Sequence, residues 1–308
     1  MTSAAPPAPV DRPLVGVLLI VAFCVLAPLG DAIAKALGAL PLAQILLGRY
    51  RMQALLLVPY LHATGGRLAL SPRIWRLTAL RTVLHVASFT TFVAALRFLP
   101  MADAIAIMFV LPFILLLLGR FFLGEEVGPH RLAACAVGFL GTLLVVQPSF
   151  AEIGAPALLP LLGAVFFAVF MLVTRRIARD ADPLALQAAS GLVATALLLP
   201  LLVLGAILGW PELAPVPLST RELLLLALLG TLGTGAHLLM TWSLRFAPSA
   251  TLAPIQYLEI PFATLIGYLV FGDLPNGIAA LGIAVTIAAG LYVLHRERRA
   301  SRASRCRT

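Results

Sequence analysis

The feature that most restricts the fold is a series of long apolar segments separated by short turns rich in glycine, proline and charged residues. Each segment is about 20 residues long, the length of a helix that crosses the hydrocarbon core of a bilayer. Charged residues make up only 11% of the chain, against about a quarter in a soluble domain. The sequence therefore predicts an all-α integral membrane protein with ten transmembrane helices, at 14–37, 42–62, 77–98, 101–123, 131–147, 156–175, 184–208, 222–244, 249–271 and 276–295.

The distribution of basic residues predicts how the chain is oriented. If the N-terminus lies inside, the inner loops and the tail contain most of the arginines, whereas the outer turns contain only Lys35, Arg97 and Arg221. Because basic residues concentrate in cytoplasmic loops, both termini are expected in the cytoplasm, and the net charge of +9 requires no nucleic-acid partner. Lysine is nearly absent beside abundant arginine, alanine and leucine, as in GC-rich bacteria, so we expect the bacterial inner membrane.

A repeated phrase divides the chain into two halves. Leu-Arg-Phe-x-Pro occurs at 96–100 and again at 244–248, a shift of 148 residues. The same shift relates Phe122-Leu-Gly-Glu to Val270-Phe-Gly-Asp. Five segments separate equivalent points, and an odd number inverts the second copy across the membrane. Two inverted-topology five-helix repeats are typical of secondary transporters, whose substrate site lies near the bilayer midplane between the halves.

This duplication predicts the organisation of the chain. We expect a cytoplasmic N-terminal tail, two five-helix repeats and a basic cytoplasmic tail, at 1–13, 14–147, 156–295 and 296–308 respectively. Pro112 and Pro261 recur in the fourth and ninth segments, one residue out of step. Since proline removes a helix hydrogen bond, a symmetric bend is expected in these two segments.

Two further features complete a pattern shared with a known transporter family. A Gly-Glu turn at 124–125 is matched by a Gly-Asp turn at 272–273, and Lys35 near the end of the first segment is followed by Arg49 in the second. With the ten segments and the duplication, this arrangement resembles the EamA-type members of the drug/metabolite transporter superfamily over nearly the whole chain. The resemblance implies a ten-helix bundle that moves small metabolites, often outward, and does not single out one substrate.

Glu259 is the most informative charged residue, because it lies near the middle of the ninth segment in the stretch QYLEIP. A charge inside a membrane span is costly and marks a functional site by default. The corresponding region of the first repeat contains Leu111, so the duplication does not require an acid here. We expect Glu259, with Gln256 and Tyr257 beside it, to bind substrate or exchange protons; an ion pair with a span arginine is the alternative.

Basic residues inside the segments are the next candidates. Arg49 lies about two turns into the second segment and is suited to bind an anionic group, or to pair with Asp31 or Glu259. Arg81 and His85 are four residues apart and share one face of the third segment. We expect both to bind substrate, although Arg81 could instead reach the inner surface. Because these two arginines outnumber the central acid, an anionic or zwitterionic substrate is favoured.

Polar residues near the segment ends have structural interpretations. Asp31 and Lys35 are four residues apart near the outer end of the first segment, in the order that favours an ion pair, and we expect a gate or structural pair. Asp103 lies in the first turn of the fourth segment, where an acid suits the helix N-terminus. His237, in the eighth segment, is expected to be a packed core histidine rather than a cavity residue.

Enzymatic and metal-dependent functions find no support in the sequence. It contains no HExxH, G-x-S-x-G, CxxC or phosphate-loop motif, and its five histidines and three cysteines lack metal-ligand spacing. We therefore expect no enzyme activity, no cofactor and no direct ATP drive. Stripes of small residues at four-residue spacing favour close helix packing within the chain, with a homodimer as the alternative: Ala134, Gly138 and Thr142, and Gly282, Thr286 and Gly290.

These observations converge on a secondary transporter. The prediction is that it moves a small polar or amphipathic metabolite across the inner membrane by alternating access, with proton-coupled efflux as one mode. Its partners are then a small-molecule substrate and the lipid bilayer. The alternatives are a flippase for a lipid or lipid-linked substrate and a non-transporting membrane sensor.

Overall fold

A computed structural model describes residues 12–66, 68, 70–99, 101–146, 155–210, 213–272 and 277–305. Within these ranges the chain is helical and contains no strand, which confirms the all-α prediction there. The helices are α1 Pro13–Ala36, α2 Leu42–Ala63, α3 Pro72–Ala95, α4 Met101–Met108, α5 Leu111–Leu123, α6 Pro129–Val146, α7 Leu158–Ile177, α8 Pro183–Leu208, α9 Thr220–Phe246, α10 Glu259–Phe271 and α11 Gly277–Arg305.

Length and hydropathy identify the helices that can cross a bilayer. Among the described residues, six helical stretches are long and apolar enough: α1, α3, α7, α8, α9 and Ser249–Phe271, which contains α10. Shorter apolar helices occur at Leu111–Leu123 and Ala280–Tyr292. The count of ten spans stays a prediction. The last helix continues to Arg305, so most of the stretch expected as a basic tail extends α11.

Helix boundaries repeat with the same shift of 148 residues that relates the two halves of the sequence. The pairs α3 and α9, α5 and α10, and α6 and α11 each begin 148 residues apart. Ser71 and Ser219 each cap the N-terminus of the helix that follows. Gly124 and Gly272 each end a helix with a positive φ, of 64° and 75°, which glycine adopts without strain.

Helix packing follows the same symmetry. Helix α1 packs against α9, and their repeat equivalents α7 and α3 pack against each other. Two further pairs, α2 with α8 and α6 with α11, join each helix to its own equivalent. Exchanging the two halves therefore leaves the pattern of contacts unchanged, as expected for two repeats related by a twofold axis.

The fourth and ninth segments are both interrupted, as the paired prolines predicted. The first repeat breaks between α4 and α5, and the second passes through a helical turn at Ser249–Leu252 and a 3-10 segment at Ala253–Leu258 before α10 begins. Phe109 and Tyr257, which are repeat equivalents, stack with ring centroids 5.5 Å apart. The Tyr257 hydroxyl also donates to the Phe109 carbonyl at 3.3 Å. The two breaks thus meet near the axis, where protein rather than lipid surrounds the irregular backbone.

The small-residue stripes mediate packing inside the chain. A Cβ added at Gly138 would lie 2.5 Å from the Tyr257 ring, and one at Gly141 would lie 2.6 Å from the Thr286 hydroxyl. Glycine at these positions therefore allows α6 to approach α11 and the 3-10 segment closely. This is the interpretation favoured from the sequence; the Thr142 side chain lies outside the described residues.

Candidate functional site

A cavity of about 90 Å³ lies between the two repeats. Part of its wall is aromatic, formed by Phe23, Phe89, Phe92, Phe109 and Phe167. Five ionisable side chains also line the cavity, namely Asp31, Arg49, His85, His237 and Glu259. An apolar wall with a few convergent polar groups is the usual composition of a small-molecule site.

The cavity lies toward one face of the bundle. Its lining residues on α1 run from Phe23 to Asp31, in the second half of that helix. Those on α3 run from His85 to Phe92, in the second half of a helix that runs in the same direction, whereas those on α9 occupy the middle of that helix. The cavity is therefore closer to the face where α1 ends and α9 begins, which the distribution of arginines predicts to be the outer face.

A hydrogen-bonded cluster forms the polar wall, and its donors and acceptors can be assigned. The Arg49 Nη2 atom lies 3.2 Å from Nε2 of His237, and the Tyr50 hydroxyl lies 2.9 Å from Nδ1 of His85. The Nε2 atoms of His85 and His237 face each other in direct contact. Because arginine only donates, Nε2 of His237 must accept, and His85 must then carry its hydrogen on Nε2. Tyr50 therefore donates to Nδ1 of His85, and both histidines are neutral in this arrangement.

Packing around Arg49 explains how a guanidinium is accommodated inside the bundle. The Arg49 guanidinium lies 4.0 Å from the centre of the Phe89 ring, a cation–π contact. Gly233 faces it on α9, where an added Cβ would lie 3.0 Å from Nε of Arg49. Gln187 holds this part of α9 in position, because its Nε2 donates to the His237 carbonyl at 3.0 Å and to the Thr241 hydroxyl at 2.9 Å.

Two acidic residues also line the cavity. Asp31 interacts electrostatically with Arg49, and Glu259 interacts electrostatically with Asp31. Glu259 is the first residue of α10, where the helix dipole favours a negative charge. The alternative of an ion pair between Glu259 and a span arginine stays a prediction. No group of His, Cys, Asp and Glu suited to a metal ion occurs in the part of the chain that the structure describes.

At the opposite face, Glu125 links three parts of the chain. Its carboxylate accepts from Nε of Arg175 at 3.1 Å, from the Ser249 hydroxyl at 2.5 Å and from the Ala250 amide at 3.0 Å. We call these four residues the Glu125 network. It connects the turn after α5 to the end of α7 and to the turn before the second interrupted span, and so closes that end of the bundle.

Comparison with known proteins decides the family. Residues 14–147 and 155–295 each match the model of the EamA-like transporter family. The chain belongs to the EamA-like transporter family. It is accordingly a multi-pass membrane transporter of small metabolites rather than an enzyme, consistent with the drug/metabolite transporter superfamily.

Individual relatives extend over most of the chain. It is 33% identical over 268 residues to a riboflavin transporter of Rhizobium johnstonii, covering 86% of this chain and 84% of the relative. It is 23% identical over 272 residues to an S-adenosylmethionine uptake transporter of Rickettsia prowazekii, covering 88% and 89% of the two chains. It is 26% identical over 281 residues to a pseudopaline exporter of Pseudomonas aeruginosa, covering 91% and 93%.

A solved crystal structure shares the fold. It is 22% identical to this chain, with a TM-score of 0.70 over 90% of this chain and 94% of the other. This similarity shows the fold alone and does not bear on the substrate.

The cavity contains only some of the residues expected to bind substrate. Arg49, His85 and Glu259 line it. Gln256 and Tyr257 are buried outside its lining, with exposed fractions of 1% and 0%.

Arg81 is also buried, with an exposed fraction of 1%. The idea that it reaches the inner surface is therefore wrong. Its guanidinium lies 5.0 Å from the centre of the Phe170 ring, and the same ring stacks on His85 at 4.6 Å. Arg81 and His85 thus share a helix face, as predicted, but only His85 reaches the cavity.

The predicted gate residues lie in different surroundings. Asp31 lines the cavity, whereas the Lys35 ammonium lies 4.3 Å from the centre of the Phe271 ring. Their pairing stays a prediction. The Asp103 side chain lies outside the described residues, as does the N-terminal tail up to residue 11.

Sequence reasoning missed the aromatic wall of the cavity and one of its ionisable residues, His237. His237 was expected to be a packed core histidine, and instead it lines the cavity and accepts from Arg49. The repeat contained a usable signal, because a shift of 148 relates His237 to Phe89, which also lines the cavity. Both members of this pair line the cavity, so here the position of one identifies the other.

Proposed function

We propose that this EamA-type transporter moves a planar heteroaromatic metabolite of the riboflavin type by alternating access of its cavity to the two faces of the bacterial inner membrane. The observation that carries the proposal is the cavity wall, in which five phenylalanine rings adjoin a cluster of assigned donors and acceptors. The 33% identity to a riboflavin transporter supports the same substrate class.

The chemistry of a flavin suits both kinds of wall. Its tricyclic ring can stack on phenylalanine faces, as aromatic pairs do in protein cores. Its ring carbonyls and nitrogens can accept from the Arg49 guanidinium, while its ribityl hydroxyls can donate to Asp31 and Glu259.

The structure weakens the earlier preference for an anionic substrate. Asp31 joins Glu259 in the cavity, and Arg81 lies outside the lining. A neutral polar ring is therefore the better match to one arginine and two acids.

Our proposal includes proton-coupled export, with Glu259 as the coupling carboxyl. Buried acids in transporters serve as proton relays, and Glu259 lies at the cavity beside a second acid. The proposed orientation has both termini in the cytoplasm, in agreement with the distribution of arginines. The Asp31–Lys35 pair is proposed as a gate at the outer end of α1.

Riboflavin exchange in proteoliposomes tests this proposal. Purified full-length protein is reconstituted in vesicles loaded with isotopically labelled riboflavin, and exchange against unlabelled external riboflavin is followed by loss of the label from the vesicles. We expect saturable exchange, weaker competition by flavin mononucleotide because its phosphate adds charge, and outward flux that rises when the proton gradient is directed inward. Absence of riboflavin exchange in protein that exchanges S-adenosylmethionine would overturn the substrate class.

A further inference from the structure

Two buried polar groups flank the same turn of α7 without a hydrogen-bond partner. Nε and Nη1 of Arg81 have no hydrogen-bond partner among the described residues, and Oε1 of Gln256 also has no partner among them. Arg81 lies over the Phe170 ring, and Nε2 of Gln256 lies 3.2 Å from the sulfur of Met171, the next residue. Leaving buried donors and acceptors unpaired is costly, most of all for a charged group, so their retention calls for a role in another state.

The sequence repeat indicates in which conformation these groups find partners. A shift of 148 relates Arg81 to Leu229 and Gln256 to Met108, and both of those partners line the cavity. The register is secure in these regions, because α3 and α9 begin 148 residues apart, as do α5 and α10. The unpaired groups therefore occupy, in one repeat, positions that line the cavity in the other.

Inverted repeats give these equivalences a mechanical consequence. When the two repeats exchange conformations, the cavity closes on one face and an equivalent cavity opens on the other. The residues that line the new cavity are then the repeat equivalents of those that line the present one. Arg81 is suitably positioned, since it is one helical turn from His85, about 6 Å along α3 toward the opposite face.

We infer that Arg81 and Gln256 form a second polar subsite, which opens when the cavity faces the side where α3 begins. In that state Arg81 binds a carbonyl or anionic oxygen of the cargo, and Oε1 of Gln256 accepts from an N–H or hydroxyl group. The subsite is called the inner subsite here. This inference rests on the proposed alternating-access function, and it adds a site that the present cavity does not contain.

Cysteine accessibility tests the opening directly. In full-length protein whose own three cysteines are replaced by alanine, Arg81→Cys, Gln256→Cys and Leu229→Cys are made singly. Each is treated with a membrane-impermeant methanethiosulfonate from one face at a time, with riboflavin present to sustain cycling. We expect Leu229→Cys to be modified only from the face where α1 ends, and the other two only from the opposite face.

A matched control distinguishes the access of water to a side chain from the depth of that side chain in the membrane. Leu80 neighbours Arg81 on α3 and is 48% exposed on the apolar surface of the bundle. Leu80→Cys should stay unmodified from both faces, because the reagent needs a hydrated thiolate. If neither Arg81→Cys nor Gln256→Cys is modified from either face while Leu229→Cys is, the inference is wrong.

Transport kinetics provide an independent readout of the same subsite. Arg81→Met should raise the KM for riboflavin presented at the inner subsite by roughly tenfold, the effect of losing a charge-assisted hydrogen bond, and leave the KM at the other face unchanged. Arg81→Lys should recover part of the loss. The control is Arg51→Met, at an exposed arginine on α2. An equal change at both faces would indicate a purely structural role and contradict the inference.

These outcomes separate the inference from the proposed function. If riboflavin is not transported but Arg81→Cys is still modified from the inner face alone, the subsite stands and the substrate class fails. If riboflavin exchange is normal and Arg81→Met leaves both KM values unchanged, the subsite fails and the proposed function stands.

Discussion

The two repeats share a scaffold and differ in chemistry. At four pairs of equivalent positions around the axis, one repeat has a polar residue where the other has an apolar one: Glu259 and Leu111, Arg81 and Leu229, His237 and Phe89, and Gln256 and Met108. In the proposed alternating-access cycle, a symmetric scaffold keeps both conformations accessible at similar free energy. The polar groups need not be symmetric, since in that cycle the substrate meets a different set of side chains in each state.

Removing the acid of the second repeat should have the largest effect. Glu259→Leu gives that repeat the residue found at Leu111, and we expect gradient-driven transport to fall to the level of protein-free vesicles. Glu259→Gln should keep riboflavin exchange and lose only its stimulation by a proton gradient. The control is Glu126→Gln, at an exposed acid. Normal gradient dependence in Glu259→Gln would refute the coupling role.

Replacing His237 by the phenylalanine found at its repeat equivalent, Phe89, should have the next largest effect. His237→Phe copies Phe89 and removes the acceptor shared by Arg49 and His85, so riboflavin affinity should fall by about tenfold. His237→Gln keeps an oxygen acceptor near the position of Nε2 and should lose less. Thermal stabilisation by riboflavin, measured in detergent, reports the affinities. Equal losses in both variants would argue against the assigned direction of these hydrogen bonds.

A pair of equivalent glycines tests whether the two ends of the bundle pack alike. A Cβ at Gly119 would lie 2.8 Å from the Glu125 carboxylate and 2.7 Å from the Ser249 hydroxyl, whereas one at Gly267 meets nothing within 4 Å among the described residues. Gly119→Ala should therefore destabilise the protein by about 1–3 kcal/mol through overpacking of the Glu125 network. Gly267→Ala should be neutral or stabilise by up to about 1 kcal/mol. Thermal unfolding in detergent distinguishes them, and equal shifts would contradict the difference.

The paired helix caps should show the smallest difference. Ser219 forms a capping box with Glu222, while the equivalent Ser71 has Ile74 at the matching position and a single bond of 3.4 Å. Ser219→Ala should cost about 1 kcal/mol, and Ser71→Ala less, because only Ser219 has a reciprocal partner. The melting temperatures of the two variants measure these losses of stability, and a larger loss for Ser71→Ala would contradict the prediction.

Sequence reasoning recovered the framework of the fold and part of the site. Helix boundaries, the shift of 148 and the paired bends could be predicted, because hydropathy, turn residues and prolines act locally. Arg49 and Glu259 were expected at the site because a charged group inside a span is conspicuous, and His85 because it shares a helix face with Arg81. His237 was missed, since its role depends on Arg49, which lies 188 residues away in the chain.

The sequence by itself indicated helical membrane spans, because a bilayer admits few structures for such apolar segments, and a duplicated framework, because equivalent residues recur at a shift of 148. Only the tertiary structure decided which polar side chains meet in one cavity. Arg81 and His85 share a helix face one turn apart, yet only His85 reaches the cavity. Arg81 instead lies against the Phe170 ring of α7. A contact between residues so distant in the chain leaves no local trace in the sequence.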